Sequence, residues 1–182
     1  PTLLSKDVDI DAPGRSVLVS SVTQPAHGTV SVQSDGSFLY TPEANWNGTD
    51  TFTYQATDSL LESAVVTVSI VVNPVNDAPE AQGESYQIDE DTVLNVASAG
   101  LLANDVDIDG PDLLVLLSSV TQPSHGTVTV QSDGSFVYTP ATNWHGTDTF
   151  TYQTTDSLLN SGTVTVTVVV DPVNDAPDAQ PD

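Results

Sequence analysis

Shifted by 98 residues, so that Thr23 falls on Thr121, the sequence lies on itself, and no other feature restricts the fold as strongly. Trp46 then meets Trp144, and Asn76-Asp77 meets Asn174-Asp175. From Ser20 to Pro79 roughly four residues in five equal their counterparts, and a unit this long means tandem whole domains rather than a solenoid of short repeats. Pro1 corresponds to Ala99, so the first unit has no counterpart of residues 80–98, and the chain reads as a piece cut from something longer. The register divides the chain into residues 1–77, a repeat lacking its first strands; residues 78–175, a complete repeat; and residues 176–182, the start of a next linker.

The complete repeat reads as all-β. Short runs rich in Val, Thr, Tyr and Phe alternate with Gly, Pro, Asn, Asp and Ser, and no stretch sustains helical periodicity. Strands are expected at residues 85–88, 93–96, 113–121, 127–131, 136–139, 149–156 and 163–170, with Asp133-Gly134 turning a hairpin between the fourth and fifth. In the last strand Val164, Val166, Val168 and Val170 share one face and Thr163, Thr165 and Thr167 the other. Seven strands in about a hundred residues fit an antiparallel, immunoglobulin-like sandwich. In the first repeat the last strand, residues 65–72, is expected to have an open edge, to be filled by another chain or left looser than its counterpart.

Charge narrows the partners. Twenty-five Asp and Glu face two bases, Lys6 and Arg15, for a formal net charge of −23. Such a surface repels nucleic acid and anionic lipid, and its self-repulsion calls for cations. Cys is absent, which removes disulfides and thiolate metal sites, and the three His are unclustered, which disfavours transition metals. No membrane span or signal peptide is visible.

The acids are placed in a pattern. Asp105, Asp107 and Asp109 alternate and end in Gly110, a spacing that lets oxygens curl around one hard cation; Asp7, Asp9 and Asp11 repeat the series with Ala12 in place of the glycine. The twelfth position from Asp105 is Leu116, so this is not an EF-hand loop, and further ligands have to come from elsewhere in the fold. Sandwich topology puts the proline-bracketed linker with Asn76 and Asp77 at the same pole as the Asp105 loop and Asp156, whose counterpart is Asp58. Glu90, Asp91, Asp171, Asn174 and Asp175 fall toward the other pole. Enough oxygens converge to fill a Ca²⁺ shell; the competing reading is a solvated, Asp-rich turn.

The segments Glu90-Asp91-Thr92, Asn104 to Gly110, Pro123 to Thr127, Asp133 to Pro140, Gly146 to Tyr152 and Val173 to Pro177 together resemble the cadherin-like tandem repeats of large bacterial surface and secreted adhesins. The resemblance implies a β-sandwich with Ca²⁺ at the junctions between repeats, stiffening a rod at the cell surface or outside the cell. It implies that Asp107, Asp109 and Asp156 act with Asn76 and Asp77, and Glu90 with Asn174 and Asp175. Its implied partners are calcium, neighbouring repeats of the chain, and homophilic or polysaccharide contacts. No enzymatic role is expected, because no nucleophile turn or substrate cleft is visible. Trp46 and Trp144 stand as sugar-stacking platforms of a carbohydrate-binding module or as plugs of the core and rim, with solvent exposure of the indole faces to distinguish the two.

Overall fold

The computed structural model describes residues 2–10, 16–110 and 112–177, and divides the chain into two units, Pro1–Val75 and Asn76–Asp182. Both are built from strands and short 3-10 turns.

Unit 1 holds β1 (Leu18–Val22), β2 (Gly28–Val32), β3 (Phe38–Pro42), β4 (Gly48–Thr57) and β5 (Val66–Val72). β4 lies between β1 and β5, and β2 pairs with β3, all antiparallel. Alternation sends Phe52, Tyr54 and Ala56 of β4 inward, where they are buried with Val30. Among the described residues nothing pairs with the outer edge of β5 or with the free edge of β3.

Unit 2 holds β6 (Ser85–Asp89), β7 (Leu94–Val96), β8 (Leu114–Val115), β9 (Gly126–Val130), β10 (Phe136–Pro140), β11 (Gly146–Tyr152), β12 (Thr154–Thr155) and β13 (Val164–Asp171). One layer has the order β11-β13-β6 with β8 on β12; the other has β7-β10-β9. β6 runs parallel to β13, the one parallel pair among the described strands. Between the layers sit Phe136, Tyr138, Phe150, Tyr152, Val166 and Val168, each at most 2% exposed. Phe136 meets Phe150 at 5.5 Å and Tyr86 at 5.3 Å, both edge to face.

The continuous strand expected over residues 113–121 is interrupted. After β8 the chain winds through a 3-10 turn at Leu117–Ser119. Ser119 is the cause: its hydroxyl donates to the Leu116 carbonyl at 2.7 Å and accepts the Gln153 amide at 2.8 Å, so a side chain replaces the ladder between β11 and β12. The Asp133-Gly134 hairpin forms as the sequence predicts, with Gly134 at φ 82° and Asp133 Oδ1 accepting the Ser135 amide. Gly134 also approaches Gly100 so closely that a Cβ on either would lie 2.2 Å from a facing backbone oxygen.

Candidate functional site

The pole of unit 2 where its chain enters is organised by one segment, residues 76–84. Its backbone is laced to the acidic loop: Glu80 and Val106 exchange two hydrogen bonds, at 2.8 and 3.0 Å, and the Gln82 amide donates to Asp105 Oδ1 at 2.8 Å. The two polar residues at its start reach two different acids. Asn76 Nδ2 donates to Asp156 Oδ2 at 2.6 Å, and the Asp77 amide donates to Asp109 Oδ2 at 2.6 Å. Asp107 Oδ1 accepts the Asp109 amide at 2.8 Å, which curls the loop. Asp156 Oδ1 accepts the amides of Leu158 and Leu159, capping a turn through Ser157 at φ 79°. The Leu159 amide first, then the Asn76 side chain, hold the Asp156 carboxyl below the ordinary carboxylate range.

Asp105, first in the series, faces the other way. It is buried, and both its oxygens lie 3.3 Å from the Tyr152 hydroxyl. That hydroxyl is also within reach of the Leu101 carbonyl at 2.7 Å, the Gln82 carbonyl at 3.1 Å and Glu84 Oε1 at 2.9 Å, and has one hydrogen for all of them. Glu84 Oε2 is buried without a hydrogen-bond partner. Burial raises the Asp105 carboxyl; burial, opposed by Tyr152 and reinforced by the Asp105 charge, pushes Glu84 up to about 7. Sequence reasoning missed Glu84 and Tyr152 because the pairing of Tyr152 with Asp105 spans 47 residues. The signal for the tyrosine was present in the repeat: Tyr54 and Asp7 are the counterparts of Tyr152 and Asp105, and the Tyr54 hydroxyl lies 3.0 Å from Asp7 Oδ2.

At the other pole of unit 2, Glu90 is buried and its Oε1 accepts the Val173 amide at 2.6 Å, while its own amide donates to the Asp171 carbonyl at 2.8 Å. Asp171 Oδ2 accepts from Gln87. Asn174 Nδ2 donates to the Asp175 carbonyl, the turn that Asn76 makes with Asp77. Asp91 stands apart from these: at φ 59° it accepts the Asn143 amide at 3.0 Å and holds the loop before Trp144. In unit 1, Asp58 caps its turn through the Leu60 and Leu61 amides, as Asp156 does, and Asp9 lines an open cavity with Asp7, Asp58, Leu60 and Leu61. Asp11 lies outside the described residues.

The structure therefore joins Asn76 to Asp156 and Asp77 to Asp109, with Asp107 bonded to the Asp109 amide, and at the other pole joins Glu90 to Val173 and to the Asp171 backbone, with Asn174 bonded to Asp175. Every side-chain donor in these groups offers oxygen, the chemistry a hard divalent cation takes. Among the described residues, no three His, Cys, Asp or Glu side chains form a group that could hold a metal by itself.

Both indoles are covered on one face. His125 stacks on Trp144 at 4.4 Å and 4°, His27 on Trp46 at 4.6 Å and 10°. The turn that carries His125 is fixed by the buried Asp148, which accepts the amides of Ser124, His125 and Thr149 and the Tyr138 hydroxyl at 2.9 to 3.1 Å. Asp50 repeats this in unit 1. Among the described residues no helix is long and apolar enough to cross a membrane.

Comparison with solved structures gives the fold. The first two domains of a human mucin-like protocadherin superpose with TM-score 0.50 and 16% identity, over 88% of this chain and 86% of that one. The human desmocollin-1 ectodomain gives 0.46 and 13%, over 90% and 35%. An endo-fucoidan hydrolase of glycoside hydrolase family 107 gives 0.41 and 19%, over 87% and 24%. No curated protein matches the chain. The bacterial cadherin-like domain model matches twice, over residues 2–74 and 76–172, so the chain belongs to the bacterial cadherin-like domain family.

Proposed function

We propose that this chain is a pair of extracellular spacer and adhesion repeats of a large bacterial surface protein, stiffened by Ca²⁺ bound where one repeat leads into the next. The observation that carries the reading is the reach of Asn76 and Asp77, adjacent in one segment, to Asp156 and Asp109, which lie in different loops. In a calcium site here Asp107, Asp109 and Asp156 would hold the ion with Asn76 and Asp77, and Glu90, Asp171, Asn174 and Asp175 would form the equivalent half-site at the far pole. Bound calcium supplies positive charge that offsets carboxylate repulsion and ties linker to loop. Asp105 and Asp7 serve a different role, anchoring their loops on Tyr152 and Tyr54. The carbohydrate-module alternative needs open indole faces, and the stacked histidines take one face of each.

The test is a thermal melt of the chain in calcium, in magnesium and in chelator, with calorimetric titration of Ca²⁺. The reading expects a calcium-selective rise in melting temperature that Asp109→Asn with Asp156→Asn abolishes. Identical melts in calcium and chelator would refute it.

A further inference from the structure

The loop that carries Asp105, Asp107 and Asp109 also carries Val106 and Ile108, and both are exposed, at 52% and 63%. With Leu102, Leu113 and Leu114 they line a groove of about 820 Å³, and Leu114 is itself 42% exposed. Every residue lining it belongs to unit 2. Aliphatic side chains gathered around one groove make a docking surface, unlike the single exposed residues that any soluble domain shows. Asp107, Asp109 and Asp133 line the same groove. The Ser135 hydroxyl first, then the Ser135 amide, hold the Asp133 carboxyl below the ordinary carboxylate range, so it stays charged.

The two repeats diverge at this place. Against residues 12–16, residues 110–114 keep Pro111 alone: Gly110 replaces Ala12, Asp112 replaces Gly14, Leu113 replaces Arg15 and Leu114 replaces Ser16. A few residues earlier Asn104 replaces Lys6. Lys6 and Arg15 are the two Lys and Arg residues of the chain, so both of its bases fall in the unit 1 counterpart of this stretch. The acids are common to both repeats, since Asp9, Asp11 and Asp35 correspond to Asp107, Asp109 and Asp133. Unit 1 carries its own cations beside these acids in the chain; unit 2 carries two leucines and a further acid instead.

We infer that this groove of unit 2 is a docking site for a basic, aliphatic segment of a partner protein, in which Lys or Arg alternates with bulky apolar residues. Two observations choose that occupant. Carboxylates set among aliphatic side chains suit Lys and Arg, whose alkyl stems lie on Ile108, Leu113 and Leu114 while their cationic heads meet Asp107 and Asp133. A second copy of the chain suits it poorly, because it brings a formal net charge of −23 and two bases that stand in the acidic stretch of its own unit 1. The field of the whole chain draws a basic partner in, and the leucines fix where it stops. Docking here needs no calcium.

The test titrates the 182-residue chain, in chelator at low ionic strength, with the capped peptide Lys-Leu-Arg-Leu-Lys and follows backbone amide shifts by NMR. One-to-one binding is expected, with the largest shifts at Ile108, Leu113 and Leu114. Leu113→Arg with Leu114→Ser writes the unit 1 residues into unit 2 and should weaken binding by about tenfold or more. That variant leaves Asn76, Asp77, Asp107, Asp109 and Asp156 in place, so failure here is distinct from failure of the calcium melt. Asp133→Asn keeps the oxygen that Ser135 uses and should weaken binding severalfold with a shallower salt dependence. The controls are Lys-Ser-Arg-Ser-Lys, which has the charge without the aliphatic side chains, and Glu-Leu-Glu-Leu-Glu, which has the reverse; neither should shift these amides. No shift at a millimolar peptide, undiminished binding by the leucine exchange, or equal shifts with either control overturns the inference. So does a shift of the same amides with chain concentration alone, which would make the groove a contact between copies.

Discussion

Asp148→Asn is the sharpest probe of what holds the repeat together. The carboxylate is 3% exposed and accepts four hydrogen bonds: Oδ1 takes the Ser124 and Thr149 amides, Oδ2 the His125 amide and the Tyr138 hydroxyl. Asparagine keeps the volume and one acceptor oxygen but turns an NH₂ toward two groups that donate. The Tyr138 hydroxyl can rotate; the His125 amide cannot. Hydrogen bonds to a charged group are worth about 1.5–3 kcal/mol each, and a stranded buried donor costs about 1–3 kcal/mol. A loss of about 3 kcal/mol follows, roughly 12–24 °C in melting temperature for a unit of this size. Because two units need not unfold together, the measurement uses a Trp46→Phe background in which Trp144 alone reports, by urea unfolding followed by fluorescence. A loss below about 1 kcal/mol would refute the assignment of Asp148 as the pin of the Pro123–Thr127 turn.

Glu84→Gln tests the buried acid. A folded value near 7 against an ordinary 4.5 means that the native state favours the protonated form, so this contribution is full below about pH 4.5 and is lost as pH rises through 7. The gap corresponds to about 3 kcal/mol; because Glu84 is only partly buried, about 1 kcal/mol is expected to survive screening. The variant should lose the decline in unit 2 stability between pH 5 and 8, measured by urea unfolding; an unchanged decline would point to another group. Tyr152→Phe removes the one hydroxyl hydrogen that the Leu101 carbonyl, Glu84 and Asp105 share and should cost unit 2 about 1–3 kcal/mol by the same assay, more than Tyr54→Phe costs unit 1. Gly126→Ala places a Cβ 2.5 Å from the Thr139 carbonyl and against the Tyr138 ring, and should lower the unit 2 melting temperature by several degrees in calorimetry, about 1–3 kcal/mol.

Much of this architecture was legible because side-chain period and repeat register agree. Val166, Val168 and Val170 alternate inward as the sequence predicts, and the Asp-Gly hairpin follows from a backbone that only a left-handed residue can close. The acidic loop was half legible. Its spacing marks three carboxylates that alternate, but not which of them turns inward; that is decided by Tyr152, distant in sequence, and by the Gln82 amide. The break at Ser119 was hidden because a hydroxyl that captures a ladder position looks in sequence like any serine of a strand. Parallel pairing of β6 with β13 was not expected either, since alternation within a strand carries no information about its neighbour's direction.

That parallel pair has a mechanical consequence. β6 follows the segment by which the chain enters unit 2, and β13 leads into the segment by which it leaves, with five residue pairs between them from Ser85 with Thr167 to Asp89 with Asp171. Tension applied through the two ends loads those pairs in shear, all at once, rather than peeling them one by one. A repeat whose β13 edge is filled in this way should resist pulling far longer than its melting temperature alone would indicate, because the unfolding rate under load is set by that one simultaneous rupture.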